Sequence, residues 1–236
     1  MRNITQLNEV RKGCTGYGLL VEHDGHISTT RDQIGEIYEN IRNNSNFMVP
    51  EKMVVSAVFQ KYGVENANGR IYPKEVLVPE VDRYIRERVA NRCAIGSLDH
   101  PASSQLSGHD VSHLITNLDW EGKTLIGEME IHITPGYQKY GVCSTSGDLV
   151  ANMLLSNILI GVSSRAVGNV EERMGKLIVT DGLELIGWDV VVDNSTPGAK
   201  IANSREELKQ YVESKDRSEG EIINEKIDRV IKFLFS

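Results

Sequence analysis

Val111-Ser112-His113-Leu114-Ile115-Thr116-Asn117-Leu118, followed after Glu121-Gly122 by Lys123-Thr124-Leu125-Ile126-Gly127-Glu128-Met129-Glu130-Ile131-His132, is the stretch on which the fold turns. Both runs are rich in β-branched and apolar residues and partly alternate. The Gly between them supplies turn chemistry, so the pair reads as a β-hairpin. Outward on the N-terminal side, Met53-Val54-Val55-Ser56-Ala57-Val58-Phe59 reads as a further buried strand, and Asn66-Ala67-Asn68-Gly69 as a loop. Pro73 stands where a helix can begin, and Val76, Val78, Val81, Ile85 and Val89 form an imperfect apolar stripe running to Arg92. Pro79 predicts a break in that helix or a late start.

On the C-terminal side Thr134-Pro135-Gly136 ends the hairpin, and Leu149, Val150, Met153 and Leu154 recur at helical spacing after Ser146-Gly147. Two more strands are expected, at residues 176–180 and 183–192, closed off by Asn194-Ser195-Thr196-Pro197-Gly198. Residues 1–50 are polar, carry turn signals at Asp24-Gly25, and read as an N-terminal arm; residues 51–200 hold the main domain. Residues 201–236 pass through a charged linker at 214–220. They end in Ile223, Ile227, Val230, Ile231 and Leu234, one apolar face of a C-terminal helix.

A chain of 236 residues can bury a full core, and the apolar share of 40% with a charged share of 25% is that of an ordinary globular protein. A net charge of −7 without a basic patch argues against nucleic-acid binding. Cys14, Cys93 and Cys143 are odd in number and far apart, which excludes a disulfide framework and a CxxC metal knuckle and fits a reducing compartment. Met1 to Val10 lacks a signal-peptide core, and nowhere do 18 apolar residues run together. A cytoplasmic protein, not a membrane one, is expected.

Two short segments carry the chemistry. Gly161-Val162-Ser163-Ser164-Arg165 approaches a nucleophile elbow but has Arg165 where that motif needs Gly, and the candidate base, His100 in Asp99-His100-Pro101, precedes the Ser. A serine hydroxyl needs a base, and the base needs an acceptor for its second nitrogen. Asp189, inside an apolar strand, is the leading acceptor because a carboxylate there needs partners; His113 is the competitor. A metal site built from His109 and His113 with His100 or His132 is the alternative, without an HExxH helix to support it.

Several blocks together resemble a known family. Asn68-Gly69-Arg70-Ile71-Tyr72-Pro73, Gly96-Ser97-Leu98-Asp99-His100-Pro101, Val111-Ser112-His113-Leu114-Ile115-Thr116, Gly127-Glu128-Met129-Glu130-Ile131 and Gly161-Val162-Ser163-Ser164-Arg165-Ala166-Val167-Gly168 are similar, in this order, to the prohead core protein proteases of tailed bacteriophages, relatives of the herpesvirus assembly protease. The resemblance runs from about Met53 to Ala199. It implies an α+β fold, a bent or closed antiparallel β-barrel core with flanking helices. It also implies a serine endopeptidase that needs no cofactor or metal, acts as a homo-oligomer inside the procapsid in the host cytoplasm, and cleaves scaffold proteins, capsid proteins and itself. On this reading His100 and Ser163 are the catalytic pair, Asp189 the third member with His113 as alternative, and Ser164 and Arg165 the oxyanion turn and its support. One departure is Ser97, where relatives often carry Glu. Family members of the T-even type favour cleavage after Glu in a hydrophobic-x-Glu context. Leu7-Asn8-Glu9, Ile34-Gly35-Glu36, Ile37-Tyr38-Glu39, Tyr211-Val212-Glu213 and Ile223-Asn224-Glu225 therefore suggest trimming of both ends. A catalytically inactive, scaffold-like relative is the other function class, and a metal-dependent hydrolase a third.

Overall fold

The computed structural model describes residues 15–28, 52–101, 106–156, 158 and 160–192. Among these residues nine strands form one sheet: β1 (Gly16–Ser28), β2 (Met53–Lys61), β3 (Arg70–Ile71), β4 (Ile95–Ser97), β5 (Val111–Glu121), β6 (Thr124–Ile131), β7 (Gly161–Arg173), β8 (Lys176–Val179) and β9 (Glu184–Val191). Three α-helices among the described residues flank it: α1 (Lys74–Tyr84), α2 (Pro135–Tyr140) and α3 (Ser146–Leu155). The fold is therefore α+β with strands in the majority.

The expected hairpin is present as β5–β6, paired from His113 with Ile131 to Glu121 with Thr124. Its two-residue loop begins at Gly122, whose φ of 57° suits a residue without Cβ. The strand order is β3-β8-β7-β1-β2-β6-β5-β4, and β9 pairs with β7 beside β8. β7 thus carries β1 along one edge and β9 followed by β8 along the other. At the far end β4 meets β9 through one parallel bridge, Leu98 with Val190, and not through a ladder, so strand pairing does not run continuously around the sheet.

Three expectations are corrected here. Residues 16–28, expected in an arm, form β1, a strand between β7 and β2. Polar residues hid it, because a strand bonded on both edges is held by its ladder whatever its composition. Asp24-Gly25, expected as a turn, lies at the register slip between Glu22 and Gly25 inside that strand. Pro79 neither breaks α1 nor delays it, since the helix starts at Lys74 and runs through Pro79 to Tyr84. The helix then widens into a single π turn at Ile85–Val89, closed by the Ala90 amide on the Ile85 carbonyl at 2.9 Å. The C-terminal helix expected from Ile223 to Leu234 lies outside the described residues.

After β6 the sequence Thr134-Pro135-Gly136 does end the hairpin, and it also starts α2, with the Tyr137 amide donating to Thr134 Oγ1 at 3.2 Å. α3 opens on a capping box between Thr145 and Asp148. Asp148 is buried and also accepts from the Thr134 and Ser144 amides at 2.8 and 2.9 Å, which locks the α2–α3 connection onto β6. The main core lies under the sheet and includes Leu20, Phe59, Leu77, Val81, Tyr84, Ile115, Met129, Val150, Val162 and Trp188. Trp188 is its centre on β9, edge-on to Phe59 at 5.3 Å and to Tyr84 at 5.2 Å between ring centroids.

Candidate active site

Strand alternation sorts the residues of the site. Side chains two apart on a strand share a face. On β9, Trp188 and Val190 pack into the core while Asp189 points the other way, and on β7 the residues of that second face are Ser163 and Arg165. Register places Ser163 directly opposite Asp189 and Arg165 opposite Gly187. The β1 side slips at the same level: Glu22 pairs with Ser164 and Gly25 with Val162, so two residues of β1 face Ser163.

The third segment comes from β4. Gly96 packs so closely on Trp188 and His113 that a Cβ there would overlap the Trp188 carbonyl oxygen and the His113 ring. The chain then leaves β4, and the Asp99 amide donates to the Val190 carbonyl at 2.7 Å with Asp99 in the left-handed region at φ 60°. This clamp, rather than Pro101 alone, aims His100 across β9 at β7.

The ring of His100 lies between the other two groups. Its Nε2 is 2.7 Å from Ser163 Oγ, and its Nδ1 is 2.8 Å from Asp189 Oδ2. Ser163 and Asp189 are fully buried, whereas the His100 side chain keeps 17% exposure, so of the three it is the one that reaches the surface. Arg165, also buried, donates from Nε to Asp189 Oδ2 at 2.8 Å and from Nη2 to Oδ1 at 3.3 Å. Ser97 donates to Asp189 Oδ1 from its amide at 3.1 Å and reaches it with Oγ at 2.9 Å.

Burial alone would push the Asp189 carboxyl up. The hydrogen bonds from His100 and Arg165, the Arg165 charge and the Ser97 amide outweigh it and hold the carboxyl well below the usual carboxylate range. The carboxylate is therefore a fixed anion, and a fixed anion accepting from Nδ1–H presents Nε2 as an acceptor to the Ser163 hydroxyl. That is the arrangement a serine nucleophile requires.

The remaining candidates fall elsewhere. His113 sits on β5, fully buried, with its Nδ1 2.9 Å from Ser112 Oγ and its Nε2 without a hydrogen bond. Burial pushes its imidazole down to about 4, against upward pulls from Asp189 and the Trp188 backbone. Ser164 and Arg165 lie in extended strand, paired to Glu22 and Val21 on one edge and to Trp188 and Gly187 on the other, so the turn expected there is not formed. Ser164 Oγ is buried without a partner. His109 and His132 are exposed, and among the described residues no three His, Cys, Asp or Glu side chains stand close enough together to hold a metal ion.

Ser97 is the site residue that sequence reasoning missed. It figured only as a departure from a motif, and a single Ser after a Gly carries no periodicity or spacing that would pair it with a residue 92 positions away.

The prohead core protein protease of Enterobacteria phage T4 is 28% identical over 179 residues, covering 73% of this chain and 81% of that protein. The solved structure of the bacteriophage T4 capsid assembly protease superposes with a TM-score of 0.58 at 24% identity, over 75% of this chain and 98% of that one. The sequence profile of the prohead core protein serine proteases matches residues 19–210, most of the chain, and the protein belongs to that family.

Proposed function

We propose that this phage procapsid maturation protease works through Ser163 as nucleophile, His100 as general base and acid, and Asp189 as the carboxylate that orients and stabilises the imidazole. The observation that carries the reading is the unbroken chain from Ser163 Oγ through both His100 nitrogens to Asp189, at 2.7 and 2.8 Å. His100 Nε2 takes the hydroxyl proton as Ser163 Oγ attacks the peptide carbonyl carbon. The imidazolium is held by Asp189 and returns the proton to the leaving amine, giving an acyl-enzyme. Water then attacks the acyl carbon, gives its proton to His100 and frees Ser163. Arg165 acts behind Asp189, keeping that carboxylate ionised and fixed.

The substrates that fit a family of this kind are capsid and scaffold proteins and the chain itself, cleaved inside the procapsid by a homo-oligomer. No helix among the described residues is long and apolar enough to cross a membrane. The Leu98–Val190 bridge supports reading the sheet as a barrel whose seam is this single contact. The site would then straddle the seam, with its base on one side and its nucleophile and carboxylate on the other.

The test is covalent labelling by a serine-directed fluorophosphonate. Wild-type protein should label at Ser163, and Ser163→Ala not at all. His100→Ala should lose on the order of 10⁴-fold in labelling rate. Equal labelling of wild type and His100→Ala would remove the His100–Ser163 pair from the mechanism.

A further inference from the structure

The nearest group to the three acting residues with no assigned role is Ser97. It is buried to 1% exposure at the end of β4, where the pairing with β5 slips between Gly96 and Ser97. The slip turns the Ser97 amide away from its neighbour strand and toward β9, where it donates to Asp189 Oδ1 at 3.1 Å. Its hydroxyl lies 2.9 Å from the same carboxylate oxygen and 2.6 Å from the carbonyl of Asp99, the residue before His100.

A serine hydroxyl has one proton, and both neighbours are acceptors, so that proton is shared between them. The sharing has a geometric consequence. Asp189 belongs to β9 and His100 to the segment after β4, and these two strands meet through a single bridge. Ser97 Oγ spans that gap, touching the carboxylate that accepts from His100 on one side and the peptide that carries His100 on the other. Arg165 grips the carboxylate from β7 through both oxygens, and Ser97 grips Oδ1 from β4, so Oδ2 is left facing His100 Nδ1.

We infer that Ser97 is a positioning residue of the active site, whose hydroxyl locks the Asp189 carboxylate and the His100 segment into one rigid unit. It touches no reacting atom and acts through Asp189 and His100. The inference rests on the triad reading above. Its chemistry requires a small hydroxyl donor at this position: a methyl leaves Asp189 Oδ1 with one donor fewer from β4 and leaves the Asp99 carbonyl without its side-chain partner.

The experiment uses the full chain in wild-type, Ser97→Ala and Ser97→Thr forms, with fluorophosphonate labelling of Ser163 followed over a range of reagent concentrations. The same proteins are examined by proton NMR for the downfield resonance of the His100 Nδ1–H bonded to Asp189. For Ser97→Ala we expect a labelling rate constant lower by about tenfold at saturating reagent, the loss of one hydrogen bond to a charged group, with the reagent's half-saturation concentration unchanged. The Nδ1–H resonance should shift or broaden. Ser97→Thr, which keeps the hydroxyl, should retain both signals among its folded molecules. A Ser97→Ala protein that labels at the wild-type rate with an unmoved resonance would overturn the inference. So would one in which only the half-saturation concentration changes. Absence of labelling in the wild type would instead sink the triad reading itself, and so separates the two failures.

Discussion

His113 shows how the fold treats an imidazole that lies outside the hydrogen-bond chain from Ser163 through His100 to Asp189. Fully buried between β4 and β9, it has its proton affinity lowered from the ordinary 6.5 to about 4, so the folded protein keeps it neutral where the unfolded chain would charge it. The unfolded state then binds more protons between these two values, and stability must fall as pH drops from 6.5 toward 4. The loss should approach roughly 3 kcal/mol at the lower end, from 1.36 kcal/mol per unit of separation. Urea unfolding at pH 7, 5.5 and 4.5 should show this decline in wild type and a shallower one in His113→Gln. Parallel slopes in the two proteins would assign the acid sensitivity to other groups. Asp189 acts in the same direction at lower pH: its depressed pKa contributes stability that is present above the ordinary carboxylate range and is lost as pH falls into strong acid. Both residues were visible in the sequence as polar groups in apolar runs. Nothing in their spacing distinguished the buried neutral base from the buried anion, because that depends on which side chains of distant strands face them.

At the scale of elements, the contact of β4 with β9 decides whether the site exists. β9 is pinned from its other end by α1, where the Leu185 amide donates to Glu80 Oε1 at 2.5 Å and Arg83 Nη2 donates to the Leu185 carbonyl at 3.2 Å. An Arg–Glu pair thereby stands in for a neighbouring strand at the register slip of β9. At the β4 end, only the missing side chain of Gly96 lets the two backbones approach. We expect Gly96→Ala to cost about 2 kcal/mol, from overlap of its Cβ with the Trp188 carbonyl and the His113 ring. It should also slow fluorophosphonate labelling of Ser163 among molecules that remain folded. Urea unfolding together with labelling checks this. A variant of wild-type stability would mean that the β4–β9 approach is looser than the geometry requires.

For the whole molecule, the placement of β1 changes what a shortened chain can do. β1 pairs with β7 through residues 16–26 and with β2 through residues 26–28, so it joins the two halves of the sheet. Expression of the chain without residues 1–28 should therefore give insoluble protein, because β7 and β2 would each expose an unpaired edge. A soluble, labelled product would show that the sheet tolerates the gap. Self-trimming, if it occurs after Glu9, leaves β1 in place; after Glu36 or Glu39 it would nick the connection between β1 and β2, and ladder bonds would retain the strand. Intact-mass measurement of wild-type protein held at room temperature should show trimmed products that Ser163→Ala lacks, and identical products in both would attribute the cuts to another protease. The sequence by itself determined the β5–β6 hairpin, α3, most of the strand content and the ordered blocks that hold His100 and Ser163, with Asp189 marked as a carboxylate in an apolar run, because these depend on local periodicity, turn chemistry and motif. Only the tertiary structure decided that residues 16–28 are a central strand and that Ser164-Arg165 is strand rather than turn. It alone decided that Ser97 and Arg165 both hold Asp189. Such assignments depend on register between strands far apart in sequence, where a shift of one residue turns every side chain to the other face.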